Sequence, residues 1–135
     1  MSCTSLASSY GNGYRMAYAP DGSILVVDDN AQIVQALSEL LQIEGFTVFT
    51  AQNGLVALNK MRAAHSISLV LLDLWMPIMD GWEVLRQKTS DADIAEIPVV
   101  LVSAVPPDSL DGVEAILKKP VSPPHLLAVV RRFSK

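Results

Sequence analysis

From residue 23 onward the chain alternates two patterns. Unbroken apolar runs fall at residues 24–27, 69–72 and 98–102, with shorter or more mixed runs at 46–50 and 115–117. A run with no polar alternation predicts a strand buried on both faces. Between the runs, apolar residues recur at helical spacing. They are Ile33, Val34, Leu37, Leu40 and Leu41, then Ala57, Leu58 and Met61, then Trp82, Val84 and Leu85, and finally Leu126, Leu127, Val130 and Phe133. Asp28-Asp29-Asn30 supplies caps for the first helix, Gly45 ends it, and Asn53-Gly54 opens the second. Trp82 and Phe133 are assigned to the core. Apolar strands alternating with amphipathic helices predict an α/β domain with a parallel sheet covered on both faces.

Residues 1–22 lack this order. They are rich in Ser, Gly, Tyr and Ala and are read as a flexible N-terminal tail, with the domain spanning 23–135. Tyr10, Tyr14 and Tyr18 stand at i, i+4, i+8, which allows a short helix or a partner-binding arm. The start has no basic segment followed by an apolar one, so no secretory signal is expected, and no apolar run reaches the roughly 20 residues of a membrane span.

Composition narrows the function. The 135 residues suit one domain, and the net charge of −4 disfavours nucleic acid as a partner. Cys3 is the single cysteine, which excludes an internal disulfide and points to a reducing, cytoplasmic setting. His65 and His125 fit no metal-ligand spacing.

Ligands of open parallel sheets sit beyond the carboxyl ends of the strands. The polar residues at those ends are Asp28 and Asp29, Asp73, Ser103 and Lys119. If they converge, three crowded carboxylates need a cation, and Mg²⁺ suits oxygen ligands. A lysine and a hydroxyl opposite can hold phosphoryl oxygens. A carboxylate so placed is a nucleophile toward a phosphoryl donor. Taken singly, each residue has a plainer reading: helix cap, turn residue, strand-end hydroxyl or solvated lysine.

In order and spacing, Asp28-Asp29, the segment from Asp73 through Trp75, Pro77 and Asp80 to Gly81, Ser103-Ala104 and Lys119-Pro120 resemble bacterial response-regulator receiver domains of two-component signalling. The resemblance covers about residues 23–134. It implies a flavodoxin-like, doubly wound five-stranded sheet, as in stand-alone chemotaxis regulators. It also implies that Asp73 is the phosphoacceptor. Asp29 would bind Mg²⁺ directly, Asp28 would assist, and the Trp75 carbonyl would complete the protein ligands. Ser103 would bind the phosphoryl group and move with it. Lys119 would pair with the phosphate, across a cis bond to Pro120. The implied partners are a sensor histidine kinase or phosphotransfer protein and an unknown downstream protein. The domain would be no enzyme beyond slow self-phosphorylation and self-dephosphorylation.

Three departures stand out. The connection from Ser103 to Gly112 is about six residues short for a full fourth helix, and Pro106-Pro107 resists one, so that helix is expected to be shortened or missing. Ile116 stands where similar domains carry Tyr or Phe, so an aromatic switch is absent or replaced. Trp75 and Val105 occupy positions near where a hydrolytic water would approach in similar domains and cannot orient it by hydrogen bonds, which predicts a long-lived phospho-state. Two alternatives remain. One is a non-phosphorylated interaction module on the same scaffold. The other is a Mg²⁺-dependent phosphatase, which would want an acid where Trp75 sits.

Overall fold

The computed structural model describes residues 23–63 and 66–134. The tyrosines at 10, 14 and 18, the cysteine at 3, His65 and the expected tail at 1–22 lie outside the described residues. The elements run β1 (Ser23–Val27), α1 (Ala31–Ile43), β2 (Thr47–Ala51), α2 (Gly54–Ala63), β3 (Ile67–Leu72), α3 (Gly81–Thr89), β4 (Val99–Ser103), β5 (Ala115–Lys118) and α4 (Pro123–Phe133). The strands form one sheet in the order β2-β1-β3-β4-β5, and every pairing is parallel. This is the doubly wound, flavodoxin-like arrangement.

Side-chain alternation divides the strand residues between two cores. Ile24, Val26, Leu69, Leu71, Val100, Val102 and Leu117 pack with Leu41 of α1 and with Leu126 and Val130 of α4. Leu25, Val27, Val70, Leu72 and Val99 pack with Ala57, Leu58 and Met61 of α2 and with Val84 and Leu85 of α3. Helices cover both faces, which is why the central strands read as solid apolar runs.

Local chemistry sets the helix starts. Asn30 caps α1 by accepting from the amides of Gln32 and Ile33, Asp80 caps α3 by accepting from that of Glu83, and Ser122 caps α4 ahead of Pro123-Pro124. Between β4 and β5 no helix forms: residues 104–114 run irregularly through Pro106-Pro107, and Leu110 and Val113 pack on the core in its place. The fourth helix is missing, as its short, proline-broken segment predicts.

Trp82 departs from expectation. Val84 and Leu85 take the core positions of α3, whereas Trp82 is 38% exposed and meets the ring of Trp75 edge-on, centroids 6.4 Å apart. A nine-residue helix over one sheet face buries one stripe, and Trp82 falls outside it. Phe133 is half-buried against the α1/α4 core, with the Arg132 guanidinium 5.1 Å above its ring.

Candidate functional site

The five polar residues expected at one rim all lie at or just past the carboxyl ends of their strands. Carboxylate oxygens of Asp28, Asp29 and Asp73 lie within 4.8 Å of one another. Asp28 and Asp73 are buried, while Asp29 is exposed. Lys119, distant in sequence, brings its Nζ to 2.6 Å from Asp28 Oδ2 and 3.8 Å from Asp73 Oδ1.

Each residue is held from below. Asp28 Oδ1 accepts from the amide of Asn30 at 2.9 Å, so the residue that caps α1 also orients the carboxylate. Asp73 donates its amide to the Val27 carbonyl, and Lys119 donates its amide to the Ser103 carbonyl. The Lys119–Pro120 bond is cis. Ser103 is fully buried at the end of β4, and its Oγ has no hydrogen-bond partner among the described residues. A buried, unpaired hydroxyl is costly and marks a place where a polar group is wanted.

The loop after Asp73 is clamped by glycines. The Gly81 amide donates to the Leu74 carbonyl at 2.8 Å, and a Cβ at Gly81 would stand 2.5 Å from the Asp73 carbonyl oxygen. The Gly54 amide donates to the Met79 carbonyl at 2.9 Å, tying α2 to the same loop. Within this frame Ile78 is held at a φ of 72°, a left-handed value that branched side chains disfavour. Trp75 turns its ring outward, 58% exposed.

The electrostatics of the cluster disfavour a charge on Asp73. The Asp73 carboxyl is raised above the usual aspartate range, first by burial and then by the nearby Asp28 charge. Lys119 and the amides of Leu74 and Trp75 pull it back in part. Three clustered carboxylates with one lysine leave negative charge to be neutralised. The donor set is all oxygen, which fits Mg²⁺. Beside the acids a hollow of about 300 Å³ opens, lined in part by Gln35, Ser38 and Gln52. On the other flank of α1, an apolar hollow of about 420 Å³ adjoins Lys119 and is lined by Ile33, Leu37, Pro120 and Val121 among others.

Sequence reading named the five side chains but missed what supports them. Asn30, Gly81 and Trp82 had visible identities, yet nothing in their spacing told that Asn30 holds Asp28, that Gly81 abuts Asp73 or that Trp82 backs Trp75.

A parallel doubly wound sheet with an acidic cluster and a lysine at its carboxyl edge defines an α/β domain equipped to handle a cation and an anion together. Comparison with known proteins specifies the class further. Residues 24–131 match the response regulator receiver domain, and the chain belongs to that family. It is 37% identical over 114 residues to the transcriptional regulatory protein CpxR homolog of Haemophilus influenzae, covering 80% of this chain and 48% of that protein. The chain thus spans about half the length of that relative. The chemotaxis protein CheY4 of Vibrio cholerae superposes with a TM-score of 0.77 at 28% identity, covering 84% of this chain and 99% of that one. CheY in a CheX–CheY–BeF3–Mg complex from Borrelia burgdorferi gives 0.76 at 28% identity, covering 84% and 90%. Among the described residues no helix is long and apolar enough to cross a membrane.

Proposed function

We propose that this chain accepts a phosphoryl group on Asp73 from a histidine of a sensor kinase or phosphotransfer protein and signals by contact with a further protein in the cytoplasm. The observation that carries this reading is the position of the Lys119 amine between Asp28 and Asp73, with the unpaired Ser103 hydroxyl at the neighbouring strand end. Asp73 Oδ attacks phosphorus, the P–N bond to the donor imidazole breaks, and its electron pair returns to that ring nitrogen. Lys119 then leaves Asp28 for a phosphoryl oxygen, and Ser103 Oγ donates to another. Asp28, Asp29, Asp73 and the Trp75 carbonyl would hold Mg²⁺. When bound, Mg²⁺ neutralises the charge that builds on the transferred group. The apolar hollow beside Lys119 suits the aliphatic surface of a docked donor protein. Intact mass after treatment with acetyl phosphate and Mg²⁺ tests the reading. One added phosphoryl mass on the wild type and none on Asp73→Ala supports it. No addition, or equal addition to both, sinks it.

A second reading is favoured by the missing fourth helix and by Ile116: a binding module on the receiver scaffold that is never phosphorylated in the cell. Partner capture that is equal with and without phosphorylation, and unchanged in Asp73→Ala, would select it.

A further inference from the structure

β5 closes one side of the sheet, and among the described residues it has a ladder partner only on its β4 side. Ala115 and Leu117 point their side chains into the α1/α4 core. The alternate residues therefore face the opposite side, where the fourth helix is missing: Glu114 exposed, Ile116 half-buried, Lys118 exposed. Backbone groups alternate as well. Lys119 donates its amide to the Ser103 carbonyl at 2.9 Å, so in this register Leu117 and Ala115 also bond toward β4. Ile116 and Lys118 consequently turn their N–H and C=O groups to the open edge. At the strand start the Glu114 amide bends inward to Val99 at 2.7 Å, so the open stretch is short.

Edge strands are usually blunted by shortness and by charge. Here the two charges are opposite in sign and stand two residues on either side of Ile116. Laid antiparallel against a second copy about a two-fold axis through Ile116, the segment is self-complementary. Ile116 faces its own counterpart, and each Glu114 faces the partner copy's lysine at position 118. The outward groups of the two Ile116 residues then exchange hydrogen bonds, and the Lys118 amide meets the partner's carbonyl at 114. Opposite charges directly across such a pair stabilise it, and like charges would oppose it.

We infer that this domain forms an isologous dimer through antiparallel pairing of β5 with β5, joining two sheets into one. The pairing covers Ile116 on the face left open by the missing helix. It does not depend on phosphate acceptance, so it is tested without Mg²⁺ or a phosphoryl donor.

Sedimentation of the full chain over a concentration series reads the dimer, and amide hydrogen exchange at low and high concentration reads the edge. Wild type is expected to dimerise, with the Ile116 and Lys118 amides protected only when it does. Glu114→Lys and Lys118→Glu each set two like-charge pairs across the interface, and each is expected to weaken the dimer roughly tenfold or more. The double variant restores the complementarity and the dimer. Because Glu114 also acts on Lys88, thermal melts of all three variants check the fold, and Lys118→Glu supplies the charge reversal that leaves Glu114 in place. A wild type that stays monomeric overturns the inference. So does protection that is independent of concentration, which would mean that another part of the same chain, such as residues 1–22, covers the edge. A dimer unaffected by either reversal, or unrestored in the double variant, overturns it as well.

Discussion

Lys119 Nζ stands 2.6 Å from Asp28 and 3.8 Å from Asp73, so the lysine neutralises Asp28 more than Asp73. Asp73 is left with a buried charge that its surroundings disfavour, and the two acids should respond oppositely to neutralisation. Asp73→Asn is expected to stabilise the metal-free protein by roughly 1 kcal/mol, as relief of strain at a functional site does. Asp28→Asn is expected to destabilise it by roughly 1–3 kcal/mol, because Lys119 loses its nearer charged partner and the Asn30 amide donates to a neutral oxygen in place of a charged one. Urea unfolding of both variants without Mg²⁺ checks the signs, and gains of equal size would contradict the lysine's preference.

The Asp73→Asn gain should also vary with pH. The folded-state pKa of Asp73 is raised, so its contribution to wild-type stability is fully present below the unfolded aspartate value and is lost as pH rises through the folded one. The advantage of the variant is therefore expected to be absent at low pH and to grow as pH rises through that window. Saturating Mg²⁺ should erase it by stabilising the wild type more.

Gly81 touches Asp73 through the backbone. Gly81→Ala sets a Cβ 2.5 Å from the Asp73 carbonyl oxygen and 2.9 Å from Leu74 Cα, neither of which is a flexible side-chain end. The expected cost is about 1–3 kcal/mol of stability, as for overpacking elsewhere. Phosphorylation of the folded variant by acetyl phosphate, followed by mass, should be slower, since moving the Asp73 backbone moves its carboxylate.

Trp75 and Trp82 are the two tryptophans of the chain, and they meet beside the site. An indole can donate from Nε1–H but offers no lone-pair acceptor for the proton of an attacking water. Once phosphorylated, the protein is expected to lose phosphate about tenfold faster in Trp75→Asn, the worth of one well-placed hydrogen bond to the attacking water. Rapid loss in wild type that is unchanged in the variant would contradict this. The same pair is expected to make tryptophan emission respond to added Mg²⁺, and Trp82→Phe tests the share of each ring.

Lys88 is buried at the end of α3 and donates from Nζ to the Ala95 carbonyl at 2.7 Å. Burial lowers its pKa, against the pull of Glu96 and Glu114. With the folded pKa below the unfolded one, stability from this site is present above the unfolded lysine value and is lost as pH falls through the folded one. Relative to Lys88→Met, wild type should therefore gain stability as pH rises through the alkaline range toward the ordinary lysine value. Parallel denaturation curves across that range measure the difference.

The order and type of the elements were legible because each rests on neighbouring residues. Strands without polar alternation can only be buried on both sides, and Pro106-Pro107 in too short a segment cannot complete a helix. The five polar residues of the site were legible for the same reason, as they end those strands. Trp82 was misread because hydrophobicity alone does not tell which face of a short helix meets the sheet.

What the linear order could not determine was distance between residues far apart in the chain. The choice of Lys119 between two carboxylates depends on strand register and on how Asn30 holds Asp28. The contact of Gly81 with Asp73 depends on the path of a loop, and the outward turn of the Ile116 amide on which strand ends the sheet among the described residues. Local propensity acts over one or two turns of chain, whereas charges and clashes act through space, so only the folded structure could decide them.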